Sequence, residues 1–227
     1  MQPLGGRDRA EGSRRVDDLA IESAKALLRR AVLLRRDLRP PEQRSADDAA
    51  RFEMVRRRLG SRRPRTLAAY LSTGSEPGTL QIVAWFAAQE IPVLLPVLSA
   101  QSTQSTQSTQ STQGRLGQPA WALYGGADAL RVGLYSILEP TTAPESPGAL
   151  ERADLVICTG CAANAAGDRL GRGGGWYDRA LLQAAPKADI WVLLNDDEVL
   201  EAIPTQTWDR RVTAIITPTR FIDCAAP

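Results

Sequence analysis

The sequence predicts an α/β protein, an open, mostly parallel, Rossmann-like sheet with flanking helices, formed as a single domain with an N-terminal helical segment. Three observations predict it. Strand-like apolar runs alternate with helix-like runs along most of the chain, the order that builds a parallel sheet. "RTLAAYL", "EPGTLQIVAWFAAQE" and "IPVLLPV" follow one another as strand, helix and strand, a β-α-β unit with an expected right-handed crossover. "ADLVIC" is continuously apolar, which suits a strand buried on both faces.

Taken in order, residues 1–15 are polar, Gly-rich and basic and read as a disordered tail. Residues 16–38 carry apolar side chains at helical spacing and predict a long helix, ended by "RPPEQ" because proline disfavours helix in the residue before it. A second helix is expected over 42–60, closed by Gly60. The helix in "EPGTLQIVAWFAAQE" is expected to hold Pro77 in its first turn. The triplet repeat "QSTQSTQSTQSTQ", residues 101–113, has no apolar residue to bury and is expected to be a disordered insertion. "AWALY" follows as a strand and "GLYSILEPTTAPESPG" as a loop. "ADIWVLL" is a further strand, and "VTAIITPT" is expected to close the sheet. One domain over 16–222 results, with residues 223–227 as a C-terminal tail.

At 227 residues, 43% of them hydrophobic, the chain can bury one sizeable core. No apolar run approaches a membrane span and no signal-peptide pattern opens the chain, so a cytoplasmic location without membrane contact is expected. Residues 1–66 hold 18 Lys and Arg against 10 Asp and Glu, so the net +2 conceals a basic first third and an acidic remainder. Such asymmetry suits an anionic partner, either nucleic acid or a polyphosphate ligand. Interleaved exposed aromatics, which a nucleic-acid stacking surface needs, are missing, so no nucleic-acid partner is expected. Cys158 and Cys161 form a CxxC, yet the chain has no histidine and one further cysteine, Cys224, too few ligands for a zinc site. The pair ends a strand rather than opening a helix, so buried thiols are the expectation.

The chemistry concentrates in "RLGRGGGWYDRAL", residues 169–181. It lies between the buried strand "ADLVIC" and a helix starting near Trp176, hence outside the carboxyl end of a strand, where open α/β sheets bind ligands. Glycine lets backbone N–H groups approach an anion, and a helix N-terminus adds partial positive charge. Arg169 and Arg172 can add bidentate phosphate contacts, and Asp178 an oxygen ligand suited to Mg²⁺. It is neither a Walker A loop, which ends Gly-Lys-Ser/Thr, nor a dinucleotide GxGxxG, which needs glycine where Trp176 stands.

"GDRLGRGGGWYDRALL" resembles the glycine-rich signature of the 5-formyltetrahydrofolate cyclo-ligase family (5,10-methenyltetrahydrofolate synthetase). The resemblance extends to "KALLRRAVLLRRDLRPPEQR", similar to that family's opening helix, and to "YLSTGSEPGT", similar to its strand-to-helix loop. "IPVLLPV", "ILEP" and "WDRRVTAIITP" match further segments in the same order. It spans residues from about 20 to 222. The resemblance implies an ATP- and Mg²⁺-dependent cyclisation of 5-formyltetrahydrofolate to 5,10-methenyltetrahydrofolate, releasing ADP and phosphate through a phosphorylated formyl intermediate. The alternative it leaves is a catalytically weak or silent relative that binds folate or nucleotide.

Carried over residue by residue, the resemblance implies that Lys25 and Arg29 hold ATP phosphates; their i, i+4 spacing places both on one helix face by itself. Arg169, Leu170, Gly171, Arg172, Gly173, Gly174, Gly175, Trp176 and Tyr177 would wrap the nucleotide, with Arg172 stabilising charge on the transferred phosphoryl group as the catalytic residue. Asp178 and Asp209 would ligate Mg²⁺. Leu71 and Glu76 match folate-contacting positions, and Trp176 and Tyr177, expected to face the surface, could stack on the pterin or adenine ring. The sequence departs from the family pattern at Trp208, where many relatives have histidine, at Gly174, often lysine, and at "CTGCAAN". Partners expected are ATP and 5-formyltetrahydrofolate, and the protein is expected to be a monomer.

Overall fold

The structure, a computed structural model, describes residues 7–98, 119–146, 148–206 and 209–224, with side chains from residue 18 onward. The QST repeat, Trp208 and the last three residues lie outside the described residues.

Helix α1 runs Arg7–Asp37 and α2 runs Pro41–Leu59. The helix expected from residue 16 therefore begins nine residues earlier, and residues 7–15 are helical rather than a disordered tail. "RDRAEGSRR" is too polar to bury, but apart from one glycine its residues are adequate helix formers, and polarity does not prevent helix. The break between the two helices falls at residues 38–40, and Pro41 occupies the first position of α2, where its missing N–H costs nothing.

The remaining elements are β1 (Leu67–Ala68), α3 (Leu80–Ala87), β2 (Val93–Val97), β3 (Ala120–Leu123), β4 (Leu130–Val132), β5 (Leu138–Pro140), β6 (Leu155–Cys158), β7 (Ala162–Ala163), β8 (Arg169–Leu170), α4 (Trp176–Leu181), β9 (Asp189–Leu193), β10 (Ala214–Ile216) and β11 (Phe221–Asp223). The main sheet has the order β11-β10-β9-β6-β1-β2-β3. From β10 to β2 neighbouring strands are parallel, while β3 and β11 join the two edges antiparallel. The sheet is thus closed by β11 rather than by "VTAIITPT", which supplies β10. All four residues of β6 are buried, as continuous apolarity requires of a central parallel strand.

Three local expectations are corrected. The helix after β1 starts at Leu80, not at Glu76. The hydroxyl of Tyr70 donates to Pro77 O (2.9 Å) and Gly78 N donates to Asp48 Oδ1 (2.7 Å), bonds that hold this stretch as a loop. The segment expected as a loop before β6 contains β5, which pairs antiparallel with β4. "CTGCAAN" enters a second hairpin, β7 with β8. Two- and three-residue strands give no periodicity to read, so tertiary pairing alone defines them.

One apolar core joins the sheet to α2 through Phe52, Val55 and Leu59 and to α4 through Trp176, Tyr177, Ala180 and Leu181. Each fully buried Leu, Val or Phe contributes about 1.5–3 kcal/mol. Across it runs a buried polar chain. Arg36 Nε and Nη2 each donate at 2.7 Å to the Glu198 carboxylate, and Nη2 also donates to Gly160 O. Glu198 accepts from the backbone and side chain of Asn195, whose Oδ1 accepts from Arg51. Arg51 pairs with Asp48, the residue that also holds Gly78. This network ties α1 and α2 to the loops after β9 and β1.

Candidate active site

The chain leaves β1 toward β2 on one side and later returns to β6 on the other, so a topological switch point falls at the carboxyl ends of β1 and β6. A cleft of about 160 Å³ opens there. The loop after β1 supplies Tyr70, Leu71 and Glu76 to its wall, and the glycine-rich segment supplies Arg169, Gly171, Arg172, Gly174, Gly175, Trp176, Tyr177 and Asp178. Segments about a hundred residues apart in sequence therefore meet where the fold class places its ligands.

Glu76 is held from both sides. Its Oε2 accepts from Thr73 N at 2.9 Å, and its Oε1 lies 2.8 Å from Arg172 Nη1. The Glu76 side chain is only 6% exposed, whereas that of Arg172 is 42% exposed. A buried carboxylate thus faces a half-exposed cation. Glu76 is not in a helix, so a helix dipole does not explain its position.

Arg169 is the opposite case. Its side chain is buried, with Nη1 donating to Thr159 O at 2.9 Å and Nη2 to Asp178 Oδ1. Its two terminal nitrogens bond to the protein, so it braces the strand end and Asp178 at the cleft wall, while its Nε has no partner among the described residues. Leu170 turns its side chain into a second apolar cluster with Val32, Cys161 and Ile203, leaving only its backbone near the loop.

Gly173 (φ +101°) and Gly175 (φ +62°) take backbone conformations that L side chains rarely adopt, and a Cβ on Gly174 would meet nothing within 4 Å. The loop is consequently open and its amides approachable. Helix α4 spans six residues, so its dipole adds little and the charge comes from arginine. Arg29 reaches the same loop from the far side: its Nε donates to Gly171 O at 2.9 Å. Lys25, one turn earlier and buried, donates to Asp209 Oδ2 (2.7 Å) and Gln206 Oε1 (2.9 Å). The two α1 cations do share a face, as their spacing predicts, but they sit behind the glycine loop rather than on the cleft wall.

Trp176 and Tyr177 are buried, 8% and 9% exposed, which corrects the expectation that they face the surface. They stack edge-to-face on each other (4.9 Å between centroids), and Trp176 packs likewise on Trp121 (5.0 Å). They are core residues whose edges line the cleft. Trp176 Nε1 and the Tyr177 hydroxyl have no hydrogen-bond partner among the described residues. Burial pushes the Tyr177 hydroxyl well above its ordinary pKa, so it remains a proton donor across the neutral range.

Among the described residues no group of three or more Cys, Asp and Glu could cage a metal ion. Asp178 is engaged by Arg169 and Asp209 by Lys25, one carboxylate oxygen each. Asp178, on the cleft wall, keeps one oxygen for Mg²⁺ arriving on phosphate oxygens, an ion that needs only one or two protein carboxylates, whereas Asp209 sits with Lys25 outside the cleft lining. Cys158 and Cys161 are fully buried, and burial raises the Cys158 thiol to about 11, as inert structural thiols require.

A sequence model of the 5-formyltetrahydrofolate cyclo-ligase family matches residues 21–218. The chain belongs to that family. A 5-formyltetrahydrofolate cyclo-ligase of Mycolicibacterium smegmatis is 32% identical over 160 residues, covering 70% of this chain and 76% of the relative. The Escherichia coli protein of the same name is 35% identical over 72 residues, 31% of this chain and 40% of its own length. The solved 5,10-methenyltetrahydrofolate synthetase of Aquifex aeolicus superposes with a TM-score of 0.70 at 21% identity, covering 90% of this chain and 94% of its own. The Mycoplasma pneumoniae synthetase superposes at 0.62 with 16% identity, over 86% and 98%. At those identities the two structures show a shared fold, and the cyclo-ligase family is the one in which the glycine-rich cleft is to be read.

Sequence reasoning missed Tyr70, Thr159 and Leu98 of the cleft wall and the whole Arg36–Glu198–Asn195–Arg51 chain. Among the signals available, "NDDE" after a buried strand carried an acidic cluster at a strand end, but its buried partner lies 162 residues away.

Proposed function

We propose that this protein cyclises 5-formyltetrahydrofolate to 5,10-methenyltetrahydrofolate at the expense of ATP, with Mg²⁺, releasing ADP and phosphate. The observation that carries the reading is the cleft at the β1/β6 switch point, where the fixed Glu76 carboxylate faces Arg172 across the glycine loop. Family membership names the substrate class.

In this reading the formyl oxygen takes the γ-phosphoryl group of ATP, which makes the formyl carbon electrophilic. N10 of the folate then attacks that carbon, loses its proton, and phosphate leaves as the C–N bond closes the ring. Such chemistry needs positioning and charge stabilisation rather than a protein nucleophile, which suits a chain without histidine. Glu76 and Leu71 hold the folate, Glu76 accepting from donors of the pterin edge. Tyr177 and Trp176 offer buried donors and ring edges to the same pocket. Amides of Gly171, Gly173, Gly174 and Gly175 approach the phosphates, and Arg172 swings from Glu76 to stabilise the transferred phosphoryl group. Arg29 holds the loop from behind through Gly171, and Arg169 holds Asp178. Asp178 and Asp209 would hold Mg²⁺, which supplies charge neutralisation at the phosphate oxygens.

The deciding experiment follows near-UV absorbance of the purified protein with 5-formyltetrahydrofolate and Mg²⁺, with and without ATP. An ATP-dependent rise from the conjugated methenyl product is expected. Tight binding of both ligands with no rise, beside an active reference enzyme, selects a silent binding relative instead.

A further inference from the structure

The loop after β1, residues 70–79, is bonded to itself as one unit. The Tyr70 hydroxyl donates to Pro77 O, and the Thr79 hydroxyl donates to Tyr70 O while accepting from Ser72 N at 3.1 Å. Thr73 N donates to Glu76 Oε2 within it. These bonds join the two ends of the loop and fix its shape, but not its place beside the glycine-rich segment. Among the described residues, two polar side-chain contacts tie the unit to other elements. Arg172 meets Glu76 at the cleft, and Asp48 Oδ1 of α2 accepts from Gly78 N at 2.7 Å. Asp48 is held in turn, its Oδ1 lying 3.2 Å from Nη2 of the buried Arg51. The approach is close: a Cβ on Gly78 would collide with the Asp48 carboxylate.

We propose that Asp48 is a positioning residue for folate binding, its bond to Gly78 N setting the place of Glu76 and Leu71 in the cleft. The inference rests on the assignment of those two residues to the folate. Asp48 does not line the cleft, so it acts through the loop and not on the ligand. Glu76 lies two residues before Gly78 in a unit whose other bonds are internal, so a shift at Gly78 carries the Glu76 carboxylate with it. A binding group is only as well placed as the backbone beneath it. The glycine-rich loop assigned to the ATP phosphates is held separately, by Arg29 of α1 through Gly171 O. Loss of the Asp48 bond therefore weakens folate binding and spares ATP. A merely stabilising contact acts differently, because a smaller folded fraction lowers the yield of active protein and leaves both dissociation constants unchanged.

Calorimetric titration of the full chain with 5-formyltetrahydrofolate and, separately, with ATP and Mg²⁺ tests this. Asp48→Ala is expected to raise the folate dissociation constant about tenfold, the scale of one hydrogen bond to a charged group, and to leave that of ATP within about twofold. Asp48→Asn keeps an Oδ1 acceptor for Gly78 N, so its folate affinity stays near that of the wild type. Its denaturant midpoint falls all the same, because buried Arg51 loses its carboxylate. Gly78→Ala displaces the carboxylate and is expected to match Asp48→Ala, which keeps the test decisive should the latter fail to fold. The double variant is expected to bind no more weakly than either single one. An unchanged folate constant in Asp48→Ala and Gly78→Ala overturns the proposal, as does an equal rise in both constants or Asp48→Asn binding folate as weakly as Asp48→Ala. A wild type that binds folate without forming methenyl product overturns the catalytic reading alone, and the folate constants still decide the role of Asp48. A wild type that binds no folate overturns both.

Discussion

Arg172 Nη1 stands 2.8 Å from Glu76 Oε1 across the mouth of the cleft, joining the glycine-rich loop to the loop after β1. The pair links the residue assigned to the phosphoryl group with the residue assigned to the folate. Arg172→Ala is expected to lower kcat by about a hundredfold or more, the scale of losing one charge-stabilising donor. Its melting temperature should stay within a degree or two, because a half-exposed ion pair contributes little stability. Normal turnover in this variant would remove Arg172 from the catalytic role.

Glu76→Gln keeps the shape of the side chain and removes its charge. The KM for 5-formyltetrahydrofolate is expected to rise about tenfold, the cost of one charge-assisted hydrogen bond, with a smaller effect on the KM for ATP. Steady-state kinetics with each substrate varied in turn makes the comparison. An equal rise in both constants would place Glu76 outside the folate site.

Gly173→Ala forces a φ of +101° on a residue with a side chain, while the added Cβ would lie 3.5 Å from Arg29 Nε, an ordinary contact. Strain rather than collision is the outcome, costing about 1–3 kcal/mol. The loop is expected to relax by moving, so activity should fall more than tenfold while the denaturant midpoint shifts modestly. Gly167→Ala is the contrasting control: its Cβ would come within 2.5 Å of Val212 O, a backbone atom, so stability should drop more steeply there.

Arg36 and Glu198 form a buried bidentate pair, each side chain 1% exposed. Removing one partner, as in Glu198→Ala, strands a buried charge and is expected to cost about 3–5 kcal/mol in equilibrium unfolding. Replacing both by apolar residues of similar volume should recover most of that loss. A single-variant cost near zero would mean that water reaches the pair.

The buried Cys158 thiol, raised to about 11, should resist alkylation at neutral and mildly alkaline pH in the native protein and react on unfolding. The sign for stability follows. The folded state holds this proton above the pH at which the unfolded thiol releases it, so the contribution is intact below about pH 9 and is lost as pH rises toward 11. Urea unfolding at pH 8 and pH 10 should show the later midpoint at pH 8.

The sequence by itself determined what depends on composition and short-range order. Alternating apolar runs specified the parallel strands, "RPPEQ" separated α1 from α2, and the order of "GDRLGRGGGWYDRALL" with its flanking segments pointed to the cyclo-ligase family. Tertiary structure alone decided the rest, because contacts between distant segments leave no local signal. Trp176 and Tyr177 read as surface aromatics beside glycine and aspartate, yet their packing on Trp121, more than fifty residues away, buries them. Arg169 read as a phosphate ligand, and the fold adds a second role that the sequence did not show, bracing Thr159 and Asp178 at the cleft wall. The polar tail read as disordered because it cannot be buried, but a helix needs only its own backbone bonds and residues 7–15 form one. Burial and pairing are properties of the folded arrangement, and they decide which of the charged and aromatic residues named by the sequence reach the cleft.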